Sequence, residues 1–100
     1  MREPHNRARG EVILAIDDRP VRLCVTLGAL AELEAAFDVG SLAELGERLA
    51  HLTASDLLIV VSALTTGPEF LNTAQLAKAR VDPSAAAAAV AEAFRVAFDA

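Results

Sequence analysis

The hydrophobic period of this chain changes once, abruptly, at Thr26, and that change leaves few architectures open. Before it, EVILAID at residues 11–17 puts Val12, Leu14 and Ile16 on one face and Ile13 and Ala15 on the other. VRLCVT at residues 21–26 alternates Val21, Leu23 and Val25 against Arg22, Cys24 and Thr26. A period of two is that of a β-strand. With Asp17, Asp18, Arg19 and Pro20 as a polar turn, the two segments predict a β-hairpin over residues 11–26. The first strand, apolar on both faces, is expected to be the more buried. From Leu27 the apolar residues recur at three and four, through Leu30, Leu33 and Phe37, with no linker between the two regimes.

Residues 27–100 therefore read as a helical part. Thr26 is placed to cap the first helix, its hydroxyl accepting from an orphan backbone N–H, and Gly40 is expected to stop it. In the first turn, Gly28 is read as letting the helix approach the hairpin; the alternative is that T-L-G-A-L faces a partner. Ser41 with Glu44 has the spacing of a capping box and opens a second helix striped by Leu42, Leu45, Leu49 and Leu52. Thr53 and Asp56 repeat that spacing before a third helix. Leu57, Leu58, Val60, Val61 and Leu64 make it apolar around most of its circumference, as befits the central element of a bundle. Residues 65–68 end it, and a short fourth helix is expected to begin near Asn72 or Thr73. Asp82 and Pro83 are a cap followed by an N1 proline. The last helix then carries an apolar ridge of Ala86, Val90, Phe94 and Phe98. The alanines at 85–89 favour helix strongly and are small enough for another helix to come close. The fold class predicted is α+β, an N-terminal hairpin followed by a small bundle of about four helices.

A chain of 100 residues is expected to form one domain, residues 1–100, because two cores of this size would each bury too little surface. Its only aromatic residues are the phenylalanines 37, 70, 94 and 98, so the core has to be aliphatic. The formal charge of −5 is uneven: Arg2, Arg7 and Arg9 against Glu3 leave residues 1–10 near +2 and the rest near −7. The first ten residues read as a flexible basic arm. An acidic body whose basic residues thin out after Arg22 speaks against a nucleic-acid partner. A helix-turn-helix through the third helix and TAQLAKARV, with Gln75, Lys78 and Arg80 facing DNA, is the remote alternative. The first ten residues are polar and no apolar run approaches the ~18–20 residues needed to span a bilayer, so neither a secretory signal nor a membrane partner is expected.

Catalytic chemistry is not evident in the residues. Cys24 is the only cysteine, so no internal disulfide forms, and its place in a strand suits a small buried hydrophobe better than a nucleophile served by His51. His5 and His51 have no local Cys, Asp or Glu at metal-ligand spacing. His51 is read as a helix C-terminal residue. Glu44 and Glu47 read as a solvated face, and the glycines form neither a phosphate-binding loop nor a dinucleotide fingerprint. No catalytic residue, metal ligand or cofactor site is expected.

Two stretches are more specific. N-R-A-R-G-E-V at residues 6–12, followed by R-L-C-V-T-L-G-A-L-A-E-L-E at residues 22–34, resembles the small tail protein of gene transfer agents and related phages. That family is described both as a tail-tube protein and as a tail assembly chaperone. The likeness is strongest over residues 6–52, at Asn6, Arg9, Gly10 and Glu11 and then at Thr26, Leu27, Gly28, Ala29, Leu30, Leu33 and Glu34. It implies a non-enzymatic part in building a phage-like tail, as a chaperone covering the tape-measure protein or, alternatively, as a structural tail-tube component. It implies the tape-measure protein or the major tail protein as partner, with homo-oligomers possible, and a place in the bacterial cytoplasm during assembly or in the particle tail. Arg7 and Arg9 are the expected partner contacts, and Val90, Phe94 and Phe98 are expected to serve either the core or a partner groove.

Overall fold

The computed structural model of the chain describes residues 11–65 and 70–98. Strands β1 (Glu11–Ile16) and β2 (Arg19–Cys24) pair antiparallel, with Val12 opposite Leu23 and Leu14 opposite Val21. They are followed by α1 (Leu27–Phe37), α2 (Leu42–Leu49), α3 (Ala54–Leu64), the short α4 (Thr73–Lys78) and α5 (Pro83–Phe98). The molecule is the mostly helical α+β fold read from the sequence: a hairpin, four helices of more than seven residues and one short one.

The hairpin turn is tighter than expected. Asp17 and Asp18 alone make it, with φ of 53° and 66°. Two successive positive φ values match the right-handed twist of a two-residue hairpin, and Asp tolerates that region better than most residues. Arg19 and Pro20 consequently belong to β2, and Val25 and Thr26 lie beyond it. Pro20 costs no ladder bond: its partner is Ala15, and the bonded pairs counted from the Ile16–Arg19 closure fall on alternate residues, so position 20 points outward. The turn is fastened to the segment after α4. The Asp17 N–H donates to the Arg80 carbonyl at 3.0 Å, the Arg80 N–H donates to Asp17 Oδ1 at 2.8 Å, and Arg80 Nη2 pairs with Asp18 Oδ2 at 2.9 Å. Asp17→Ala is expected to cost about 2 kcal/mol, half from a strained positive φ and half from the lost acceptor. Urea titration followed by far-UV circular dichroism checks this, and a loss below about 0.5 kcal/mol, the scatter of surface substitutions, would contradict it.

Capping follows the sequence closely, with two shifts. Thr26 Oγ1 accepts from the Ala29 N–H at 3.0 Å, and Thr53 and Asp56 form a reciprocal capping box. Asn72 caps α4 in the same reciprocal way with Gln75, and Asp82 Oδ2 accepts from the Ala85 N–H. Helix α1, however, is stopped by Asp38 in the left-handed region at φ 56°, not by Gly40. Gly40 instead donates its N–H to Glu44 Oε1 at 2.7 Å, so the carboxylate reaches one residue past the Ser41 cap that a strict box would engage. Nor does Gly28 permit a close approach: a Cβ there would meet only Thr26 Oγ1, at 3.8 Å. The T-L-G-A-L turn is split, Leu27 and Gly28 exposed and Ala29 and Leu30 buried.

Helix α3 is the hub. It packs against α1, α4, α5 and β2, and buries Val60, Val61 and Leu64. Its end bridges to the hairpin through a Leu23–Thr65 pairing, and Ser62 Oγ donates to the Leu71 carbonyl at 2.7 Å. The largest fully buried side chains are Leu23, Leu33, Leu45, Leu64 and Val60, an aliphatic core as composition required. Helix α5 lies across both strands and α3, and the expected ridge is divided between core and groove. The buried stripe is Ala86, Ala89, Val90 and Ala93, whereas Phe94 is half-buried and Phe98 is 59% exposed. Alanines bring the helix axis close to the hairpin, which leaves no room for rings between them. The two phenylalanines turn toward α2.

Candidate functional site

The site begins with a helix that has too little to pack on. Helix α2 buries one residue, Leu45, and leans chiefly on α1. Between it and α5 runs an open groove of about 930 Å³, floored by Leu30 and Leu57. Leu42, Gly46 and Leu49 line the α2 wall, and Val90, Phe94 and Phe98 line the α5 wall. Phe94 and Phe98 stack with centroids 6.2 Å apart and planes 9° from parallel. Leu42 at the other side is 51% exposed, so the groove has a large apolar residue exposed on each wall. Among the described residues no charged side chain lines it, and the one polar side chain that does, Thr53, already accepts from the Asp56 N–H at 3.1 Å.

The structure thus brings Val90, Phe94 and Phe98 together on one wall, with Val90 also part of the core. Arg7 and Arg9 lie outside the described residues. What the sequence did not reveal was the opposite wall: Leu42 and Leu49 read there only as part of the second helix's stripe, and the one available signal was a glycine, Gly46, in the middle of a helical pattern.

An ionic centre lies beside the groove residue Thr53, whose N–H donates to Asp56 Oδ2. Arg48 Nη1 pairs with Asp56 Oδ2 at 2.6 Å, donates to the His51 carbonyl at 3.2 Å, and its guanidinium carbon sits 4.7 Å from the Phe37 ring centroid. The Arg48 bond and the Thr53 N–H hold the Asp56 carboxyl down to about 2. Arg48 thereby ties α1, α2 and α3 together. His51 contributes its backbone carbonyl to this centre.

The other candidates stay apart from it. Cys24 is half-buried at the open end of the hairpin, and burial, with Glu11 opposite it, pushes its thiol up, away from the reactive thiolate. Gln75 is occupied with the Asn72 cap and Arg80 with the hairpin turn, so two of the three residues assigned to a DNA-reading helix already have partners. Among the described residues no three His, Cys, Asp or Glu side chains are placed to hold a metal ion, and no helix is long and apolar enough to cross a membrane.

The chain is thus a small, mostly helical α+β protein with an apolar groove between α2 and α5. Its sequence says which kind: the model of the phage tail tube protein family, GTA-gp10, matches residues 9–100, and the chain belongs to that family. No curated protein and no solved structure matches it.

Proposed function

We propose that the chain is a non-enzymatic tail assembly chaperone that holds a helical segment of the tape-measure protein in the groove between α2 and α5 until tube subunits assemble around it. The observation that carries this reading is the groove itself. Leu42 and Phe98 expose apolar surface on its two walls, and such surface in a tail protein is a site for a partner. An apolar helix laid there would be covered in the helix-in-groove manner, while the net charge of −5 keeps the complex in solution. Arg7 and Arg9 supply further contacts to the tape-measure or major tail protein, and the whole chain acts as one domain in the bacterial cytoplasm.

Two measurements test it. The double variant Leu42→Gln/Phe98→Gln alters only exposed positions, so its stability is expected to stay within about 0.5 kcal/mol of the parent. Its capture of co-expressed tape-measure protein should fall by at least about tenfold, the equivalent of one hot-spot contact. Undiminished capture would remove the groove from the mechanism. Quantitative mass spectrometry of purified particles addresses the role: a chain abundant in lysate and missing from particles acts transiently, whereas a stoichiometric copy number would make it a retained tail component.

A further inference from the structure

The groove also says what kind of helix it fits. Gly46 sits in the middle of α2, where glycine costs roughly 1 kcal/mol relative to alanine. Among the described residues no close approach repays that cost, because a Cβ built at Gly46 meets none of their atoms within 4 Å. Its open side is the groove. Ala43 and Ala50 flank it on the same wall, and Ala87 and Ala91 stand on the α5 wall. Both walls are therefore low enough for a third backbone to lie close, as small residues allow at helix–helix contacts. A small apolar ligand would find no polar group to orient it, since Thr53 is already engaged.

The rims differ in charge. Glu47 stands four residues after Ala43 and three before Ala50, so it shares their edge of α2, with Glu44 one turn before it. On α2 the carboxylates of Glu44 and Glu47 stand against one cation, Arg48, which pairs with Asp56 of α3. The α5 rim is balanced: Arg95 Nη2 pairs with Glu92 Oε2 at 2.6 Å.

We infer that the groove takes an amphipathic helix of a partner protein, with a small-residue apolar stripe and with Lys or Arg along the edge that faces α2. This rests on the groove being a partner site, as proposed above. The test uses the full chain and two synthetic helical peptides of about 18 residues, roughly 27 Å long, that share one Leu/Ala stripe. One carries Lys and the other Glu beside the stripe, and binding is read by calorimetry over a salt series.

The Lys peptide is expected to bind about tenfold tighter than the Glu peptide at low salt, with the ratio falling toward one as screening shortens the reach of surface charge. Glu47→Gln should narrow the ratio about two- to fivefold, the range of one exposed charge pair. Gly46→Ala should weaken the Lys peptide at least about fivefold while raising the melting temperature, because the same Cβ that strengthens the helix blocks the groove. Equal binding of both peptides at low salt, or indifference to Gly46→Ala, overturns this inference and leaves the groove as a partner site. Failure of both peptides to bind overturns the site itself. A fatty acid that binds where the peptides do not, or a dimer of the chain abolished by Gly46→Ala, would reassign the groove to a lipid or to a second copy.

Discussion

Leu23→Ala is expected to lower the unfolding free energy by about 3–4 kcal/mol, the middle of the range for emptying a fully enclosed leucine site. Leu23 is 0% exposed, faces Val12 across the hairpin and bridges to Thr65 at the end of α3. It is the point where the sheet meets the hub helix. The neighbours cannot collapse inward easily, since the strand is fixed by its ladder and α3 by contacts on several sides. A domain of this size has roughly 5–15 kcal/mol in total, so the variant gives up a large share of its stability. Lacking Trp and Tyr, the chain is best followed by far-UV circular dichroism in urea. Leu27→Ala, at a position 83% exposed, is the control and should change stability by no more than about 0.5 kcal/mol. A Leu23→Ala protein as stable as that control would mean that the hairpin is not anchored through this residue.

The contrast between those two leucines shows how far the sequence could be read. Periodicity separates strand from helix well here, because the apolar spacing switches cleanly from two to three and four at Thr26. Caps were legible for the same reason, being local: Thr26, Thr53 and Asp82 each bond a backbone N–H three residues on. The misses were matters of tertiary contact or of backbone conformation. That Asp38 and not Gly40 takes the left-handed φ depends on where the chain must turn toward α2. The ridge on α5 holds two of the buried residues, Ala86 and Val90, but not the alanines Ala89 and Ala93 that complete the stripe toward the hairpin. Leu27 satisfies every spacing rule for a core position and yet is 83% exposed, because no described element passes over the first turn of α1. The groove was half legible: Val90, Phe94 and Phe98 stand out as a helical stripe, but the α2 wall exists only because α2 packs on α1 and stays away from α5. Arg48 could not be found at all, since its partners Phe37, His51 and Asp56 come from three different segments.

That arginine sets the second large effect, which is on pH dependence. The Asp56 carboxyl titrates at about 2 in the folded chain, chiefly because Arg48 bonds it and secondarily because the Thr53 N–H does. In the unfolded chain an aspartate titrates near about 3.9. A folded value below the unfolded one means that the unfolded state takes up protons first as acid is added. The stabilisation from this group is therefore complete above about pH 4 and is lost as the pH falls through the folded value. Asp56→Asn should lower stability at neutral pH and flatten the decline between about pH 4 and pH 2, bringing the two proteins together at the acid end. Arg48→Met, which keeps the length of the side chain and removes the charge, should do the same by letting the Asp56 carboxyl rise. It should also loosen α2, because the contact with Phe37 and the bond to the His51 carbonyl disappear with it. Melting temperatures measured at intervals from pH 2 to pH 7 test both, and a wild-type profile that stays parallel to that of Asp56→Asn throughout would show that the pair does not bear on acid stability. If the profiles converge as argued, groove binding should weaken over the same interval. The pair is one of the ties between α2 and α3, beside the packing of α2 on α1, so protonating Asp56 weakens the support of that wall.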